Sequence, residues 1–275
     1  MSTRRITRPD PAPARGFDRE REQLESLATS FHDGKPLDEA ATELLKKTLA
    51  HRNNYLVSKA AKLVGEAKLF DLLDETLAAY DRFFVDAAKT DPQCWAKNAL
   101  VRTLLALEHR QSEAYLRGLG HHQMEAVWGG STDTAGPLRA ACCQALIDCP
   151  GLADGDLLTL LVGSLVDADK QVRVGAARAI GQVGGPSAAL VLRLRALIGQ
   201  EEPEVLGAVY SALASLEADR AIPILADALK NEENAAEAAF ALSELRSALA
   251  LDALITRFRA GCDTVFAPTL LAPSL

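Results

Sequence analysis

Aromatic side chains are scarce in this chain, 5% of 275 residues with only two tryptophans, whereas alanine and leucine dominate. That balance favours close-packed helices over sheet. Excess positive charge is also missing. A formal net charge of −7 and a pI near 5.3 argue against a general nucleic-acid coat, which needs surplus Lys and Arg to neutralise phosphates. The five cysteines, Cys94, Cys142, Cys143, Cys149 and Cys262, form no C-x-x-C pair and are odd in number. They imply no disulfide framework and point to a reducing compartment, read here as the cytoplasm. The start, MSTRRITRPDPAPARG, lacks the apolar core of a signal peptide. The most apolar window, 157–166, is bounded by aspartates and too short to span a bilayer, so no membrane insertion is expected. No G-x-S-x-G, P-loop, H-E-x-x-H or strand-following G-x-G-x-x-G occurs. The chain is therefore read as non-enzymatic, with no catalytic residues, cofactor or metal.

What is abundant is one helical pattern, clearest in DADKQVRVGAARAIGQVGG, residues 167–185. Val172, Ala176, Ile180 and Val183 form an apolar comb along one helix face. Asp167 and Asp169 stand where an N-cap belongs, and Gly184-Gly185 where a helix stops. Related segments recur at 58–66, 98–106, 140–148, 207–215 and 236–244, anchored on Val64, Leu104, Leu146, Leu213 and Leu242 as on Ile180. Recurrence at this scale marks a helical repeat array. A second helix set, at 68–89, 111–126, 155–166, 187–199, 219–230 and 249–260, alternates with the first and makes each repeat a hairpin. About thirteen helices and no sheet are expected. The divisions read from this pattern are a disordered basic arm at 1–16, capping helices at 17–50, the repeat array at 51–262 and an irregular tail at 263–275.

Asp169, Val172, Arg173, Ala176, Ala177, Ile180 and Gly181 fit a D-x-x-V-R-x-x-A-A-x-A-I/L-G signature. Over roughly residues 50–260 the chain thereby resembles the HEAT-like repeat family, including its short phycobilisome-lyase-type subclass. The resemblance implies an all-α fold, a right-handed α-solenoid of helical hairpins. It also implies a scaffold that binds a protein or peptide on its concave face. Two other activities occur in such arrays: a bilin-lyase-like enzyme or chaperone, and a HEAT-like DNA glycosylase. The latter wants a basic cleft with aromatics and a carboxylate, nominally Trp95, Trp128 and Asp133, and the acidic pI weighs against it.

Beside the comb, Arg173 and its equivalents Arg139 and Lys97 are placed to reach an aspartate of a neighbouring repeat, with Asp167 and Asp169 as the local candidates. Cys142 and Cys143 fall where the other copies carry small packing residues. Glu201-Glu202 and Glu232-Glu233 precede helix starts and read as caps and dipole partners. Opposite the comb runs a column of Lys62, Arg102, Gln144, Arg178, Ser211 and Phe240. Its cations, Lys62, Arg102 and Arg178, suggest a groove for acidic or phosphorylated partners. The stretch Gly120–Arg139 interrupts the repeat rhythm and supplies a second candidate site: His121, His122, Gln123, Glu125, Trp128, Asp133 and Arg139. A helix start near imidazoles and an arginine would suit an anion or a peptide carboxylate. The scaffold alternative has Gly129-Gly130 ending a helix and Trp128 covering the seam.

Overall fold

The computed structural model describes residues 16–260, which divide into two compact units between His109 and Arg110 in the chain. The arm assigned to 1–16, apart from Gly16, and the tail assigned to 263–275 lie outside the described residues, as does Cys262.

The first unit contains α1 (Gly16–His32), α2 (Glu39–Leu49), α3 (Asn54–Glu66), α4 (Leu73–Arg82), α5 (Ala87–Thr90) and α6 (Trp95–Ala106). Asp38 caps α2 by accepting from the Ala41 amide at 2.8 Å. Asn53 caps α3 in the same way through the Leu56 amide. The expected long helix at 68–89 is interrupted: α4 ends at Arg82, and Asp86, at φ of 48°, stands immediately before α5. The central contact is α3 against α6. It is close because Gly65 faces α6, where an added Cβ would meet the Thr103 Cα at 3.3 Å.

The second unit contains α7 (Ser112–Leu119), strands β1 (Met124–Val127) and β2 (Gly130–Asp133), then α8 (Gly136–Ala145), α9 (Asp154–Ser164), α10 (Lys170–Val183), α11 (Gly185–Ile198), α12 (Pro203–Leu216), α13 (Ala218–Ala228), α14 (Ala235–Glu244) and α15 (Ala248–Arg259). Helices α8, α10, α12 and α14 pack in succession, each linked to a neighbour from the set α7, α9, α11, α13 and α15. In α10 three of the four comb residues, Val172, Ala176 and Ile180, are fully buried and Val183, at the helix end, is half-buried; Asp169 caps through the Gln171 amide at 2.7 Å, and Gly184 ends the helix at φ of 76°. Burial of a side chain such as Ile180 contributes roughly 1.5–3 kcal/mol. Every anchor named from the sequence, Val64, Leu104, Leu146, Ile180, Leu213 and Leu242, lies in a core. So do Cys142 and Cys143, whose equivalents are Ala176 and Ala177. Cys94, Cys142, Cys143 and Cys149 form no disulfide.

The fold is all-α as expected, with fifteen α-helices among the described residues where about thirteen were expected, and with one small sheet where none was expected. Residues 124–133 form an antiparallel hairpin, pairing Met124 with Asp133 and Val127 with Gly130, where the end of a helix and its glycine stop were expected. The turn is Trp128-Gly129, with Gly129 at φ of 89°, a conformation glycine adopts without strain.

Candidate functional site

The Gly120–Arg139 candidate forms a node at the root of the hairpin. Asp133, the last residue of β2, accepts the Gln123 amide at 2.9 Å and the Ala135 amide at 3.0 Å through one oxygen. Its other oxygen faces His122 Nδ1 at 2.8 Å and accepts from Arg139 Nη1 at 2.7 Å. The Arg139 guanidinium, on α8 and only 2% exposed, also donates to the His121 carbonyl and makes a bidentate pair with Asp167 at 2.9 Å. Beside it, Glu125 accepts from Gln123 Nε2 and from the Thr134 hydroxyl at 2.8 Å, and His121 Nε2 lies 3.2 Å from the Gln123 amide oxygen. Burial raises the Asp133 carboxyl, but the two amides, His122 and Arg139 outweigh it and hold the group well below the ordinary range. Asp167 is likewise lowered, burial being overcome by Arg139 and by the Asp169 amide.

Six of the seven expected residues are thus brought together, and Trp128 is not among them. It stands at the hairpin tip, fully exposed, with Met124 and Val127 also exposed, instead of covering the seam. The anion position at the start of α8 is filled from within by Asp133, and Arg139 spends its donors on Asp133, Asp167 and a carbonyl. A nucleobase-excision chemistry would use Asp133 as a free carboxylate, whereas here it serves four internal partners. Both thiols of Cys142 and Cys143 lie in the α8 core, and burial pushes Cys143 up to about 11.

Arg139 and Arg173 use one device. Each stands in the first turn of its helix and reaches forward to carboxylates that open the next repeat: Arg139 to Asp167, and Arg173 to Glu201 at 2.8 Å and to Glu202. Arg173 also reaches back six positions to the Asp167 carbonyl at 2.6 Å, as Arg139 does to Asp133. In the first unit Lys97 repeats the backward half. It is fully buried and pairs with buried Asp91 at 3.0 Å, which also accepts the Ala96 and Lys97 amides and the Asn54 side chain. The carboxylate partners of Arg173 are therefore the glutamates Glu201 and Glu202, not the expected aspartates; Asp167 meets it only through its backbone carbonyl. Glu201, beyond any capping role, also pairs with Arg195.

The column opposite the comb opens onto a groove in each unit. Lys62 and Arg102 line a groove of about 480 Å³ between α3 and α6, together with Lys59, Glu66, Trp95 and Asn98. Lys62 and Arg102 are exposed, and Trp95 is 48% exposed with its ring centroid 6.0 Å from that of Tyr55. Lys59 lies over the same Tyr55 ring at 5.4 Å, and Lys62 approaches Glu66 at 3.7 Å. The Asn98 side-chain oxygen is buried with no hydrogen-bond donor among the described residues. Lys59 and Asn98 were not singled out from the sequence. Their helical offsets from Lys62 and Arg102, three and four positions back, are the signal that places them on the same faces. Arg178, Ser211 and Phe240 line a different groove, in the second unit.

Human deoxyhypusine hydroxylase, solved in complex with glycerol, is similar at 16% identity over 93% of this chain and 96% of that chain, with a TM-score of 0.34. No curated protein matches the sequence. A family model described as HEAT repeats matches residues 156–243 and says nothing narrower, so the lyase-type subclass rests on the sequence resemblance alone. The stretch from α9 into α14 is accordingly made of HEAT repeats.

Proposed function

We propose that the chain is a non-enzymatic helical-repeat scaffold that binds an acidic or phosphorylated segment of a protein partner in the groove between α3 and α6. The observation that carries this reading is the clustering of Lys59, Lys62 and Arg102 around an exposed Trp95, with Glu66 as the single carboxylate in the lining. The Lys62–Glu66 contact is long and exposed, so it competes weakly with an incoming anion. Arg102 has the planar fork that receives a carboxylate or phosphate through two hydrogen bonds. Trp95 offers a flat apolar surface to the stem of a partner side chain.

The test is fluorescence anisotropy with labelled peptides, acidic, phosphoserine-bearing or neutral and otherwise identical. Binding of the charged peptides should weaken with salt, because screening acts on exposed charges. Lys62→Glu with Arg102→Glu should weaken it by at least about tenfold, equivalent to roughly 1.4 kcal/mol. Equal affinity in the double variant would overturn the assignment of this groove.

A further inference from the structure

The groove of the second unit has a different character. It crosses α10, α12 and α14, holds about 680 Å³, and is lined by Arg178, Gln182, Glu204, Ser211, Glu237 and Phe240 among others. Its floor is made of small residues, and two glycines set its depth. A Cβ on Gly181 would come within 2.8 Å of the Ala212 Cβ, and one on Gly207 within 3.2 Å of the Glu237 Cγ. Gly207 therefore lets the stem of Glu237 lie against α12.

The two carboxylates in this lining are not equivalent. Glu204 is engaged by Lys170 at 2.5 Å. Glu237 is half-buried and has no ion-pair partner among the described residues. Phe240 follows it by three positions on α14, which puts ring and carboxylate on neighbouring points of one helix face. That ring is 56% exposed, a large apolar surface left open inside a groove. A half-buried carboxylate beside an open aromatic face attracts a cation twice, through the charge and through the ring quadrupole. The aliphatic stem of a long cationic side chain would also cover the ring. Arg178, on α10 at the other side, repels a second cation.

We propose that this groove receives a single arginine or lysine side chain of a protein partner, seated between Phe240 and Glu237. The proposal stands apart from the acidic-segment reading of the α3–α6 groove, because it uses other residues in the other unit.

The test is a titration of the isotopically labelled full chain, followed by NMR, with a short capped peptide that carries one arginine. The same peptide with citrulline, equal in shape and neutral, is the control. Amide shifts should centre on Ser211, Glu237 and Phe240 and be largely absent with citrulline. Glu237→Gln, which keeps the shape of the side chain, should weaken arginine-peptide binding by about fivefold to tenfold, and Phe240→Ala by a similar factor. Lys62→Glu with Arg102→Glu should leave this titration unchanged while weakening that of the acidic peptide. Absence of shifts at about 5 mM arginine peptide, a weak-binding limit, would overturn the proposal. So would equal binding of the citrulline peptide, or unaltered binding by a folded Glu237→Gln variant.

Discussion

Arg139 holds two carboxylates from different segments, Asp133 at the hairpin root and Asp167 at the start of the next repeat, while itself almost wholly buried. Replacing it by methionine keeps the stem and removes the charge, leaving both aspartates without their cation. Unpairing a buried ion pair costs about 3–5 kcal/mol, so urea unfolding of Arg139→Met should show a loss of that order. The variant should also change the response to acid. Asp133 and Asp167 both ionise more readily in the folded chain than in the unfolded one, where an aspartate titrates near about 3.9. Their stabilisation is complete above that value and is lost as the pH falls from about 4 through the lower folded values. The acid branch of a stability–pH curve should therefore be shallower in Arg139→Met than in the parent. Ile180→Asp tests the core instead. A charge placed at a fully buried comb position has no partner, and a loss of several kcal/mol or failure to fold is expected by circular dichroism. Ile180 was legible from spacing alone because burial follows helical period. The forward reach of Arg173 was legible too, but not its glutamate partners, which stand 28 and 29 positions away and adjoin it only after the helices pack.

Helices and hairpin were unequally readable, for a physical reason. A helix in this chain is stabilised by an apolar stripe with fixed period, so α10, α12 and α14 announce themselves in the sequence. The hairpin 124–133 has no such stripe, since its strands are short and mostly exposed. Its stability comes from the Asp133, Gln123 and Glu125 hydrogen bonds at its base, which no periodicity encodes. Trp128-Gly129-Gly130 followed by Ser-Thr-Asp-Thr was the available signal, a glycine turn before a polar run suited to a strand. Packing between helices of successive repeats makes a sharper prediction. At the first residue of α8, Gly136, an added Cβ would fall 1.8 Å from Asp169 Oδ2. Gly136→Ala should displace Asp169 from its place as the cap of α10, at a cost of about 1–2 kcal/mol. Asp169→Ala alone should cost a similar amount, and the double variant should fall short of the sum of the two, as expected for residues in contact.

The whole molecule divides its tryptophans, Trp95 in the first unit beside the cationic groove and Trp128 in the second at the tip of the hairpin. Each unit therefore carries one intrinsic fluorophore in a different setting. Trp128, fully exposed, should emit at the long wavelength of a hydrated indole and be quenched readily by iodide, whereas half-covered Trp95 should emit further to the blue. A Trp128→Phe chain would leave a single reporter in the groove proposed to bind acidic segments, and a Trp95→Phe chain a single reporter on the hairpin. Saturation with an acidic peptide should alter the emission of the first and leave that of the second unchanged, so occupancy could be followed without attaching any dye.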